Sequence, residues 1–202
     1  EVAANMRPEL VPELEDIATS EAKDIVVRGE AYVLIARLTN DPSKQMQALL
    51  DLFDQATKKN ERILLLGNLA AIGHPAKSAV PVVVEMLKQR SGSGYAARAL
   101  GELEADPRLA IPLLVDLAND QTVDKYVRMK AISVLAIYKK EKEKFRDEIA
   151  GWLVSGNKEI KGSAFALVEK LNLEDKSLIQ TVIEAMEDPN HSQRHSATRT
   201  LL

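Results

Sequence analysis

The sequence predicts an all-α fold, a right-handed α-solenoid in which about six helical hairpins stack into a superhelix. Three observations predict it: a mark returning every 32 to 34 residues, helix-type spacing of small and apolar residues after each mark, and a capping residue at a fixed offset before most of them. The marks are Arg28, Arg62, Ala96, Arg128, Lys161 and Arg194, separated by 34, 34, 32, 33 and 33 residues. Three positions later stand Ala31, Leu65, Ala99, Ala131, Ala164 and Ala197, and seven later Ile35, Leu69, Leu103, Leu135, Val168 and Leu201. These positions share one helical face, so each unit has a stripe that its neighbours must cover. A period of this length is the mark of a repeat architecture.

The units are expected at about 8–40, 42–73, 75–105, 107–141, 143–172 and 175–202, forming one repeat domain over 1–202. In the first, a helix from Pro8 to Thr19 precedes one from Asp24 to Leu38, and Asn40-Asp41-Pro42 breaks the chain. Asp24, Asp124, Asn157 and Asn190 each stand four residues before a mark, where their side chains can accept from the free amides of a first helical turn. First helices are expected behind Pro8, Pro42, Pro75 and Pro107. Further prolines, Pro12, Pro81 and Pro112, are expected inside such helices and should bend them. The alternating charges from Lys139 to Lys144 read as a solvated helix end and turn. Five residues after the four central marks come Gly67, Gly101, Ser133 and Ala166, all small enough to let second helices approach. A glycine costs about 1 kcal/mol inside a helix, so close packing or an open inner groove must compensate.

Composition limits the chemistry. Of 202 residues 46% are hydrophobic but only 4% aromatic, so the core must be built from short aliphatics. Having no cysteine, the chain has no thiolate nucleophile, disulfide or thiolate metal ligand. The net charge of -3 provides no general attraction for phosphate, which disfavours nucleic acid as a partner. No apolar run approaches the roughly 20 residues that span a bilayer, so membrane insertion is not expected. The chain starts at Glu1 without an initiator Met. That predicts loss of an N-terminal piece, by export processing or by how the fragment was defined; the first option points to an exported, periplasm-like compartment.

Residues 66–81, LGNLAAIGHPAKSAVP, together with Asp-x-x-Val-Arg-x-x-Ala at Asp124 to Ala131, resemble HEAT repeats, in particular the bacterial HEAT-like type also found in phycobilisome lyases. The resemblance covers nearly the whole chain. It implies second helices lining a concave face, a protein-binding scaffold, and an Asp–Arg ladder between neighbouring units through Asp24, Arg28, Arg62, Asp124, Arg128, Lys161 and Arg194. Ala96 replaces the basic residue in unit three, with Gly92 at its cap, and Lys58 takes the cap offset in unit two, so such a ladder would be interrupted there.

Other motifs have competing readings. Gly92-Ser93-Gly94-Tyr95-Ala96-Ala97 matches G-x-G-x-x-A behind Val80-Pro81-Val82-Val83-Val84, which imitates a dinucleotide-binding turn. The alignment of Ala79 to Lys88 with other first helices makes an inter-helix turn the expectation. His191 and His195, four apart, place two imidazoles on one helix side and are the candidate metal ligands, although Ser192-Gln193-Arg194 lacks the Glu of a zinc hydrolase. The basic column could receive acidic protein or nucleic acid; intramolecular pairing is favoured. Trp152, among Ile149, Leu153 and Val154, reads as core, which weighs against a helical-repeat DNA glycosylase. Nothing here supports phycobilin lyase chemistry.

The expectation is therefore a non-catalytic scaffold, without cofactor, that organises a larger protein assembly. Val2-Ala3-Ala4 at one end and Leu201 and Leu202 at the other are expected as unfinished stacking surfaces, for self-association or a partner.

Overall fold

The computed structural model describes residues 8–39, 42–72, 78–89, 92–172, 175–188 and 190–201, and contains helices and no strands among them. The chain divides into two compact units, Glu1–Ala105 and Asp106–Leu202.

The N-terminal unit contains α1 (Val11–Thr19), α2 (Ile25–Thr39), α3 (Ser43–Gln55), α4 (Lys59–Ile72), α5 (Val80–Lys88) and α6 (Ser93–Glu102). They form three hairpins, α1 with α2, α3 with α4 and α5 with α6, and second helix packs on second helix from α2 to α4 to α6. The C-terminal unit repeats the plan with α7 (Pro107–Asn119), α8 (Lys125–Leu135), α9 (Arg146–Leu153), α10 (Lys158–Leu171), α11 (Lys176–Glu184) and α12 (His191–Thr200). There α8 packs on α10 and α10 on α12.

The repeat stripe forms the core. Ala31, Leu65, Ala99, Ala131, Ala164 and Ala197 are all buried, and so are the aliphatics seven after each mark, except Leu201, which is 39% exposed. Side-chain caps start the second helices as expected. The Oδ1 atoms of Asp24 and Asp124 accept from Val26 and Tyr126 amides at 2.8 and 2.7 Å, and Asn157 and Asn190 each accept from two amides of the first turn. Where Lys58 stands instead, Glu61 reaches back to the Lys58 amide, 3.4 Å away. At Gly92 the backbone itself turns, with φ +59°, and an added Cβ would lie 2.7 Å from Ile63 Cγ1. Only glycine suits that position.

The prolines correct one expectation. Pro12 and Pro81 are not mid-helix: α1 and α5 begin at Val11 and Val80, each behind a 3₁₀ turn, so these prolines occupy the first α-helical turn. A residue there needs no amide donor, and the α-helix starts where the missing N–H is harmless. Pro112 is different and lies within α7, which Asp106 caps and Pro107 opens one turn earlier. The charged run from Lys139 belongs to a 3₁₀ stretch, Ala136–Phe145, with breaks at Tyr138 and Glu141, and buried Tyr138 and Phe145 hold it down.

Candidate functional site

The basic column lies along the second helices, and each of its members is occupied within the molecule. Arg28 Nε donates to the Ala18 carbonyl at 3.1 Å and Arg128 Nε to that of Ala118 at 2.8 Å, ten residues upstream in both cases. Each thus ties the closing turn of its own first helix, where carbonyls lack helical partners and a cation is favoured. The Arg62 guanidinium lies 4.3 Å over the Phe53 ring. Arg194 donates to the Asp188 carbonyl, while Lys161, from the preceding hairpin, pairs with the Asp188 carboxylate at 3.0 Å. Asp188 thus joins two successive marks. The ladder implied by the family resemblance takes another form here, because the carboxylates of Asp24 and Asp124 are used as helix caps.

Val80–Lys88 is helical, so no strand precedes the glycine turn and the geometry of a dinucleotide site is lacking. His191 and His195 are exposed on α12, and no group of three metal-ligating side chains occurs among the described residues. Trp152 is buried and donates to Asn119 Oδ1 at 2.8 Å, a core contact between successive first helices. Leu201 is exposed; Leu202 and Val2-Ala3-Ala4 lie outside the described residues. No helix among the described residues is long and apolar enough to cross a membrane.

The outward face of the second helices is open to a ligand. In the N-terminal unit Val27 and Leu34 on α2, Leu64 on α4 and Tyr95 on α6 are 43 to 50% exposed. Gly67 belongs to this face: the nearest atom to an added Cβ, on Arg98, is 4.0 Å away. Gly67 therefore does not permit close helix approach as expected. Of the four small residues only Gly101 is buried, and Ser133 is exposed. The glycine that does permit approach is Gly29, where a Cβ would meet Asn68 Nδ2 and Leu65 Cδ2 at 2.6 Å.

In the C-terminal unit the corresponding face is a depression of about 410 Å³ across α8, α10 and α12, with Met129, Ser133, Gly162, Ser163, Ala166 and Ser196 in its lining. Ser133 and Ser163 donate to carbonyls four residues back on their own helices, leaving oxygen lone pairs as their free capacity. Gln193 borders the depression; its Nε2 donates to the Lys158 carbonyl at 2.9 Å and its Oε1 is buried without a partner. Nearby, Lys125 pairs with Glu159 at 2.6 Å, holding the Glu159 carboxyl below its ordinary pKa chiefly through that hydrogen bond. The Asp188 carboxyl is lowered first by the Asn190 amide and then by Lys161, and that of Asp175 first by the Ser177 hydroxyl.

Compared with known proteins, the chain matches no family model and has no significant similarity to a curated protein.

Proposed function

We propose that the protein is a non-catalytic interaction scaffold that receives a protein partner on the exposed face of its second helices. One observation supports this most directly: the basic column is occupied internally, while Val27, Leu34, Leu64 and Tyr95 are left exposed beside the open Gly67. They stand on three second helices that pack in series, and large apolar side chains left in water on neighbouring helices favour an interaction surface. Each unit of three hairpins is read as a segment of right-handed α-solenoid of the HEAT-like type, since second helices pack serially within it. No cofactor belongs to this reading.

The test is capture from the source organism, followed by mass spectrometry, with the natural chain and Leu34→Glu/Leu64→Glu as baits. The double variant should keep its helical circular dichroism and lose the partners that the natural chain retains. Identical capture by both would remove this face from the proposal, and release of an alkylated base from duplex DNA would replace it with a glycosylase.

A further inference from the structure

Pro112 does something that Pro12 and Pro81 do not. A residue in the sixth position of α7 would normally donate its amide to the carbonyl four residues back, and proline has no N–H to give. The Arg108 carbonyl therefore lacks its helical donor. Both residues line a groove of about 530 Å³ on the first-helix side of the C-terminal unit, floored by Ile111, Pro112 and Val115. Lys144 and Glu148 line it as well.

The charges along this groove are unevenly satisfied. Arg108 is forked onto Asp106, with Nη2–Oδ2 at 2.8 Å and Nε–Oδ1 at 3.2 Å, and this pairing holds the Asp106 carboxyl down at about 2. Lys144 pairs with Glu141 at 2.6 Å. Glu148, half-buried, has no partner among the described residues, and Asp116 adds another carboxylate to the lining. Both cations are thus matched by anions outside the lining, while an unpaired carboxylate and a carbonyl without its helical donor border an apolar floor. Such a site is short of donors.

We propose that this groove, on a different face from the second-helix surface, receives a partner protein's arginine flanked by aliphatic residues. The stem would cover Ile111, Pro112 and Val115, and the guanidinium would donate to Glu148 and to the Arg108 carbonyl. Long basic side chains lay apolar stems on apolar surface while their heads seek acceptors, and arginine offers five donors for two sites.

The probe is acetyl-Leu-Arg-Leu-amide, with the isosteric, uncharged acetyl-Leu-citrulline-Leu-amide as control, titrated into the whole chain and followed by amide chemical shifts. The arginine peptide should shift Ile111, Val115 and Glu148 and bind about tenfold tighter than the control, the size of one charge-assisted hydrogen bond. Glu148→Gln should abolish that preference. Pro112→Ala restores the amide, so it should raise Tm and weaken both peptides. Equal binding of the two peptides, shifts confined to other surfaces, or a preference undiminished in Glu148→Gln would overturn the proposal; so would a Pro112→Ala chain that binds both peptides as before.

Discussion

The two units use one repeat plan and, among the described residues, differ in what chiefly joins successive hairpins. In the N-terminal unit α2 and α4 meet where Gly29 has no side chain, against Leu65 and Asn68, so the contact depends on shape. In the C-terminal unit polar bonds about one repeat apart join the hairpins: Lys125 to Glu159, Trp152 to Asn119, Lys161 to Asp188 and Gln193 to the Lys158 carbonyl. The exposed faces differ as well: Val27, Leu34, Leu64 and Tyr95 stand out in the first, while the second adds Ser133, Ser163 and Ser196 to Met129 and exposed Tyr126. A conserved spacing of marks thus leaves both the glue and the surface free to vary. The positions three and seven after the mark are buried in both units, apart from exposed Leu201, so the stripe is the shared constraint.

That comparison breaks most severely if the shared constraint is false. Ala131 is fully buried on α8, and Ala131→Asp places a carboxylate there without a partner. A loss of about 3–5 kcal/mol is expected in denaturant unfolding, and a neutral result would mean that the stripe is misassigned. Gly29→Val tests the shape-based contact of the N-terminal unit. Because its Cβ would lie 2.6 Å from the side-chain ends Leu65 Cδ2 and Asn68 Nδ2, both of which must shift within a packed contact, about 1–3 kcal/mol should be lost. An unchanged midpoint would show that α2 and α4 have slack.

Acid should sharpen the contrast with a smaller effect. Among the described residues the carboxyls lowered by their partners, Asp106, Glu159, Asp175 and Asp188, all belong to the C-terminal unit. For a carboxyl whose folded pKa is depressed, the stabilisation is complete above the unfolded value of about 4 and is lost as pH falls through the folded one, about 2 for Asp106. Hydrogen exchange between about pH 5 and pH 2 should therefore show protection falling in α8 to α12 before α2 to α6. The reverse order would refute polar bonding as the distinguishing glue.

Much of the skeleton was legible because its determinants are local. Asp24, Asp124, Asn157 and Asn190 cap within two or three residues of themselves, and the alanine stripe is set by helical period. Proline positions were misread where the start of the helix depends on which carbonyls are within reach, as at Pro12 and Pro81. The exposed face was hidden for another reason. Helix α2, IVVRGEAYVLIARLT, is apolar on several sides, so no pattern separates exposed Leu34 from buried Val33 and Ile35. Gly29 reads in sequence only as a helix penalty, and its neighbour Asn68 is 39 residues away, beyond any local signal.

The buried Trp152, hydrogen-bonded to Asn119, has a practical consequence. It is the sole tryptophan of the chain and belongs to the C-terminal unit, so intrinsic indole fluorescence monitors that unit alone. Far-ultraviolet ellipticity averages over the helices of both. Recorded together during one denaturant titration, the two signals coincide only if both units melt in a single cooperative step. If the emission shift and the loss of ellipticity have different midpoints, each unit has its own stability, and their order identifies the weaker one.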